Sequence, residues 1–222
     1  MCFDAFSTLK PIIDQDFAKH YGIVDRKKYV RVAASRRLTF LITHHPLQVI
    51  DCLSPFYPIF LDKRLGKDAP AHFWAIGCLD LISTPKTALF CSKRCPANTV
   101  IVTMDLAQKW RDQGRCIISG FHSPLEREYL RILLRGIQPI IICPARSLEK
   151  MKIPMEWHEG IVASRILLLS PFESSQLRIT DVLSNQRNKM VAAMADELYF
   201  AHITPNGKTE RLAKEISRWG IS

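Results

Sequence analysis

The sequence predicts an α/β protein in which helices cover both faces of a mostly parallel sheet. Short apolar runs such as Cys116–Ser119 and Ile166–Leu169 recur along the second part of the chain. These runs are continuous rather than alternating, which is typical of strands buried on both faces. Segments with helical periodicity separate them. Strands that alternate with helices in this way indicate parallel βαβ units.

The overall charge of the chain points to a polyanionic partner. Its 222 residues include 31 Lys and Arg against 21 Asp and Glu, a formal net charge of +10. A basic surplus of this size favours binding to nucleic acid or nucleotide phosphates, with a solvated basic surface as the alternative. The length is sufficient for one sizeable core and a small appended unit.

Cysteine usage and the N-terminus indicate a cytoplasmic protein. The seven cysteines are scattered through apolar segments and form no CxxC pair, which favours buried free thiols over disulfides or a zinc site. The first residues lack the charged-then-apolar pattern of a signal peptide, and no apolar run approaches the length of a membrane span. We therefore expect no metal and no membrane association.

The chain is predicted to have two parts. Residues 1–55 read as a small, mainly helical N-terminal region, and residues 56–222 as the α/β domain. The basic cluster Arg26–Lys28 in the first part is interpreted as a solvated face. Residues 54–70 contain Pro55, Pro58, Gly66 and Pro70 and are predicted to form a connector.

Six strands follow from the apolar runs. The first, 73–76, is placed at an edge of the sheet, and the others are 87–91, 116–119, 137–143, 166–169 and 198–202.

Four helices are predicted between and after these strands. The first begins at Pro96, a residue favoured in the first turn, and stops at Gly114. The second has Ser123 as N-cap and Pro124 in its first turn, and Gly136 closes it. The third covers roughly 187–195, and the last carries the apolar stripe Leu212, Ile216 and Trp219.

The ends of the predicted strands carry basic or hydroxyl side chains. Ligands of open, Rossmann-like sheets bind beyond the carboxyl ends of the strands, where helix N-termini add partial positive charge. One of these ends carries Pro144–Ser147, with Arg146 in it. The candidate phosphate-binding residues come from the other ends and are Ser92, Lys93, Arg94, Ser119, Gly120, Phe121, His122, Arg187, Asn188, Lys189, Asn206, Gly207 and Lys208.

Roles can be assigned within this set. Arg187 is predicted to open a helix beside its free N–H groups and to clamp phosphate together with Lys189. Lys93, Arg94 and Lys208 are predicted to be neighbouring cations, and Asn188 a hydrogen-bonding group. Ser119 and Gly120 are interpreted as a turn that brings backbone close to a ligand. Phe121 either stacks on a base or packs in the turn.

Standard catalytic motifs are incomplete in this sequence. Gly207–Thr209 lacks the upstream glycine of a P-loop, because His202 stands in its place. No GxGxxG or GxSxG motif occurs, and no paired carboxylates stand at the strand ends. We therefore expect a binding protein with no cofactor rather than an enzyme.

From Tyr57 onward the chain resembles the DprA/Smf DNA-processing family. The similarity covers about 57–220, and its most specific piece, Arg187–Ala192, resembles that family's Arg-Asn-Arg-Ile-Ile-Ala. Other matching segments are Tyr57–Pro58, Ala69–Pro70, Phe73–Gly77, Leu79–Ile82, Cys91–Arg94, Ile117–Gly120, Leu167–Phe172 and Asn206–Gly207. The resemblance implies a Rossmann-like core that binds single-stranded DNA and delivers it to the RecA recombinase during DNA uptake. The sequence does not determine the oligomeric state, and a homodimer is one of the possible states.

Two rival functions stay open on the residues. One is a nucleotide-sensing domain that binds a small signal in the same pocket. The other is a phosphoribohydrolase of the cytokinin-activating, LOG-like group, which needs Pro-Gly-Gly-x-Gly-Thr-x-x-Glu. Only a fragment of that motif is present, at Pro205–Glu210.

Overall fold

The computed structural model describes residues 45–221. The strands are β1 (Gln48–Asp51), β2 (His72–Gly77), β3 (Lys86–Cys91), β4 (Cys116–Ser119), β5 (Ile140–Ile142), β6 (Ile166–Ser170) and β7 (Glu197–His202). The helices are α1 (Phe60–Leu65), α2 (Ala97–Asp112), α3 (Pro124–Leu134), α4 (Met155–Val162), α5 (Asp181–Met194) and α6 (Lys208–Ile216). Short 3-10 turns lie at Gly66–Asp68, Leu79–Ser83 and Ser217–Trp219.

The strands form one mixed sheet in the order β1-β2-β6-β5-β4-β3-β7. The five strands from β6 to β7 pair in parallel, and β2 is antiparallel to both of its neighbours. The predicted α/β class with a mostly parallel sheet is therefore confirmed. The predicted position of 73–76 at the edge is wrong, because β1 pairs outside β2 and takes that place.

Side chains of adjacent strand residues point to opposite faces of the sheet, and helices bury both faces. Ile118 and Ile141 belong to the core on the side of α5 and α6, where Val191 and Leu212 also pack. Their chain neighbours Ile117 and Ile140 belong to the core on the side of α2, α3 and α4. This burial on both sides explains why the strands appear in the sequence as continuous apolar runs.

The start of α3 follows the prediction. Ser123 is the N-cap, Pro124 is in the first turn, and Glu126 completes a capping box with Ser123. The start of α5 does not, because this helix begins at Asp181, six residues before the predicted start at 187. Thr180 caps it by accepting a hydrogen bond from the backbone N–H of Leu183. The predicted set of helices also lacked α4.

The sheet extends further toward the N-terminus than the predicted boundary at residue 55. Strand β1 lies in the segment predicted to be helical, and α1 lies in the predicted connector. The basic cluster Arg26–Lys28 lies outside the described residues. Within residues 45–221, no helix is both long and apolar enough to cross a membrane.

Candidate functional site

The carboxyl ends of β3 and β7 border a cleft of about 450 Å³. Strands β4, β5 and β6 succeed one another on one side of β3, whereas β7 lies on its other side. The chain therefore reverses direction across the sheet between β3 and β7. Ligands of open α/β sheets bind at such a switch point.

Three helix N-termini converge on this cleft. The N-cap residues of α3, α5 and α6 are Ser123, Thr180 and Gly207, and all three line it. The unpaired N–H groups at a helix start carry partial positive charge and favour anions.

The side chains of the cleft are predominantly basic. It is lined by Lys93, Arg94, Arg187 and Lys208, together with His122, against the two carboxylates Glu126 and Asp181. The structure thus brings together side chains from four of the predicted loops. No group of three or more His, Cys, Asp or Glu side chains within residues 45–221 could hold a metal ion.

Arg187 is held inside the protein rather than at a helix start. It lies in the second turn of α5, and the residue is only 4% exposed. Its Nη1 donates to the carbonyl oxygen of Cys143 at 2.8 Å, and its Nε donates to Oδ1 of Asn188 at 2.8 Å. The prediction that Arg187 opens a helix beside free N–H groups is therefore wrong.

The charge of Arg187 is only partly compensated. No Asp or Glu among residues 45–221 forms an ion pair with it. Burial lowers the pKa of the guanidinium from its usual value, and the nearby Glu126 carboxylate offsets part of this effect. A buried cation is costly unless it is both paired and hydrogen-bonded, and Arg187 has hydrogen bonds but no paired carboxylate, so an anion in the cleft would stabilise it.

Gly120 makes room for the guanidinium. A Cβ atom at this position would lie 1.3 Å from Nη1 of Arg187 and 1.9 Å from its Cζ. Any side chain at 120 would therefore displace Arg187. The sequence predicted that Gly120 forms a turn. Its lack of a side chain also leaves the space that the Arg187 guanidinium occupies.

Glu126 fixes two of the loops that form the cleft. Its Oε1 accepts the backbone N–H of Cys91 at the end of β3. Its Oε2 accepts the N–H groups of His122 and Ser123 after β4. Because both carboxylate oxygens are engaged and the residue is buried, Glu126 is a structural link rather than a free anion in the cleft.

Two further groups of the cleft are electrostatically coupled. Burial lowers the pKa of His122, and the charge of Arg187 lowers it further, while Glu126 opposes this shift. At the start of α6, Lys208 Nζ lies 2.6 Å from Oδ1 of Asp181. The hydrogen bond from Lys208 lowers the pKa of Asp181, so this carboxylate competes with any phosphate for Lys208.

Three of the predicted phosphate-binding residues instead hold loops together or pack in the core. The Ser92 Oγ accepts the N–H of Thr204 and so joins the loops after β3 and β7. The buried Ser119 Oγ donates to the Leu89 carbonyl oxygen and accepts the N–H of Phe121. Phe121 has a φ of 45° and is buried in the core, so packing describes this ring better than base stacking.

Two other predicted residues lie away from the cleft. Lys189 is two positions after Arg187, about 200° further round the helix, and it pairs with Glu215 of α6 at 2.6 Å. The predicted clamp of Arg187 with Lys189 is therefore wrong. Asn206 is exposed with a φ of 58°, and its N–H donates to Glu210. It adopts the turn that positions Gly207 and Lys208.

The sequence analysis missed the contribution of the segment before Arg187. Thr180, Asp181, Ser184 and Asn185 all line the cleft, because α5 begins earlier than predicted. The Thr180–Asp181 pair is a helix-start signal that could have revealed this.

The chain is similar to known proteins both in sequence and in fold. A family model described as DNA recombination-mediator protein A matches residues 48–206. No curated protein matches the chain. A solved structure of DNA processing protein A from Helicobacter pylori, described as binding single-stranded DNA in a unique mode, is 19% identical. The match covers 81% of this chain and 80% of that one, with a TM-score of 0.64.

A second solved structure, DprA from Streptococcus pneumoniae, is 18% identical. The match covers 90% of this chain and 67% of that one, with a TM-score of 0.62. At these identities the likeness shows a shared fold.

Proposed function

This chain belongs to the DNA recombination-mediator protein A (DprA) family, and on that premise we propose that it binds single-stranded DNA in the cleft between β3 and β7. The observation that carries the proposal is the buried Arg187 guanidinium, which lines the cleft without a carboxylate partner among the described residues. A phosphate would compensate this charge, and the planar guanidinium fits a phosphate bidentately.

The surroundings of Arg187 support phosphate as the ligand. Lys93 and Arg94 are exposed at the mouth of the cleft, and three helix N-termini face the same space. These groups recognise a sugar–phosphate backbone without reading sequence. Binding rather than catalysis is proposed, because the cleft collects anion-binding groups and its buried carboxylate, Glu126, is fully engaged by backbone N–H groups.

The test of this function is the salt dependence of binding to single-stranded DNA. Each phosphate contact contributes about −0.7 to the slope of log affinity against log salt, so the four cations of this cleft contribute about −2.8 to that slope. Affinity should fall at least about 50-fold between about 50 and about 200 mM salt. Fluorescence anisotropy with a labelled oligothymidylate measures this. Binding that does not respond to salt, or none at all, would contradict the proposal.

Two additional titrations separate the rival functions. A nucleoside monophosphate that binds tightly and displaces the oligonucleotide would favour a nucleotide sensor. Release of free base from the monophosphate would favour the phosphoribohydrolase.

We expect Asp181→Asn to strengthen DNA binding. The substitution removes a negative charge from the cleft and releases Lys208 from its ion pair. Because Asp181 no longer competes for Lys208, affinity should rise by up to about 5-fold, the contribution of one full phosphate contact at about 0.1 M salt. Asp112→Asn is the matched control, because Asp112 also forms an exposed ion pair, with Arg111, and does not line the cleft. Weaker binding of the Asp181 variant would instead mean that this carboxylate itself contacts DNA.

The proposal extends to partners. We propose delivery of the bound strand to RecA, which the family's description as a recombination mediator supports. RecA filament formation on single-stranded DNA, with and without this protein, tests it.

A homodimer is proposed as the unit that binds DNA, and sedimentation of the protein alone and with oligonucleotide measures its mass. A monomer under both conditions would rule the dimer out.

A further inference from the structure

A second cleft, of about 490 Å³, opens beside the first at the ends of β4 and β5. His122, Ile179 and Arg187 line both clefts, so the two are continuous. Four of its other lining residues follow β5. Arg146, Lys150 and Lys152 lie in the loop that leads to α4, and Trp157 lies in the first turn of α4.

The lining of the second cleft is more purely basic than that of the first. It includes Arg187 and the three cations of the loop, and it includes no Asp or Glu. Lys150 and Lys152 are exposed, and neither they nor Arg146 form an ion pair with any residue in the range 45–221. Uncompensated cations grouped in a concave surface attract a polyanion.

The loop that carries these cations is anchored at several points. Ser170 Oγ donates to the carbonyl oxygen of Arg146, and the N–H of Ser147 donates to the carbonyl oxygen of Gln176, both at 2.8 Å. Leu148 is buried in the core. The cations therefore project from a fixed backbone, which lowers the entropy lost when a ligand binds.

Two polar groups of the lining residues have no partner. Arg146 Nε and Trp157 Nε1 are buried and make no hydrogen bond within the described part of the chain. Buried donors are nearly always satisfied, so the polar groups behind the lining of the second cleft are incompletely paired. The half-buried indole of Trp157 also offers an aromatic surface in the cleft.

We propose that the second cleft is a further nucleotide subsite for the same single strand. Phosphates of the strand leaving the first cleft contact Lys150 and Lys152, and a base stacks on Trp157. Base–aromatic stacking tolerates any sequence and requires an unpaired base, so the subsite favours single strands over duplex. The inference rests on the proposed function, since one strand occupies both clefts.

The first test is the double variant Lys150→Ala/Lys152→Ala. With an oligothymidylate of about 20 nucleotides, loss of two phosphate contacts should lower affinity about 25-fold at about 0.1 M salt and make the salt slope shallower by about 1.4. Lys63→Ala/Lys109→Ala is the matched control. It removes the same charge from exposed lysines of α1 and α2 that line neither cleft, and should bind like the wild type.

The second test reports on Trp157 directly. Oligonucleotide binding should quench tryptophan fluorescence in the wild type, and Trp157→Phe, which keeps an aromatic ring, should lose most of that quenching. If the wild type fails to bind single strands, the proposed function itself fails. If it binds, but the lysine variant matches its control and Trp157→Phe still shows the quenching, the subsite alone is wrong. Quenching by thymidine monophosphate but not by the oligonucleotide would also overturn it.

Discussion

Arg187→Ala is expected to lower the affinity for single-stranded DNA by about 10- to 150-fold, which corresponds to the loss of about 1.5–3 kcal/mol from hydrogen bonds to a charged group. The guanidinium lines both clefts, so its removal affects every strand that enters either of them. Arg187→Lys should recover only part of the loss, because an ammonium group cannot reproduce the planar fork that matches a phosphate.

The same substitution is also expected to destabilise the protein. The carbonyl oxygen of Cys143 accepts from Nη1 and would lose this partner. A buried acceptor left unsatisfied costs about 1–3 kcal/mol. Binding must therefore be measured well below the melting temperature, with circular dichroism confirming that the variant is folded.

Arg165→Ala separates the two effects. Arg165 is half-buried and donates to the carbonyl oxygen of Leu134 at 2.9 Å, and burial lowers its pKa as it does for Arg187. It directly precedes β6, so it lies at the end of the parallel strands opposite to the clefts, and it lines neither of them. This control should lose stability and keep DNA affinity. If both variants lose stability and neither loses affinity, Arg187 is only a structural residue.

The fold could be predicted from the sequence because its signals are local. Runs such as Ile166–Leu169 are buried on both faces, and the Ser123–Pro124 start of α3 is specified by the residues that form it. The strand predicted at 137–143 was too long for a similar local reason. Ile137 is 90% exposed, and the Gln138 side chain donates to the Leu133 carbonyl oxygen instead of extending the strand.

The geometry of the cleft could be predicted only in part. Its position followed from the strand ends, but the surroundings of Arg187 and Lys189 depend on where α5 begins. A start at 187 would place both residues beside the free N–H groups of the first turn. With the observed start at Asp181 neither lies there, and their separation of about 200° round the helix leaves only Arg187 in the cleft. The polar segment before Arg187 has no apolar stripe to reveal its helical phase. Contact between Gly120 and Arg187 joins distant parts of the chain, which no local pattern shows.

Gly120→Ala is expected to abolish most of the contribution of Arg187 to DNA affinity, although Arg187 itself is not substituted. The new Cβ would occupy the position of the guanidinium, at 1.3 Å from Nη1, so the side chain must leave its hydrogen bonds to Cys143 and Asn188. The guanidinium is the end of a flexible side chain, so the backbone can stay in place while Arg187 moves. DNA affinity should fall by about 10- to 150-fold, as for Arg187→Ala.

A double-mutant cycle decides whether the two residues act together. If Gly120 serves to accommodate Arg187, then Gly120→Ala should weaken binding strongly in the wild type and hardly at all in the Arg187→Ala background. Residues in contact give such non-additive effects, while independent sites add within about 0.5 kcal/mol. Anisotropy titrations of the wild type, both single variants and the double variant measure the coupling. Equal losses in both backgrounds would show that Gly120 contributes through its own close approach to DNA, independently of Arg187.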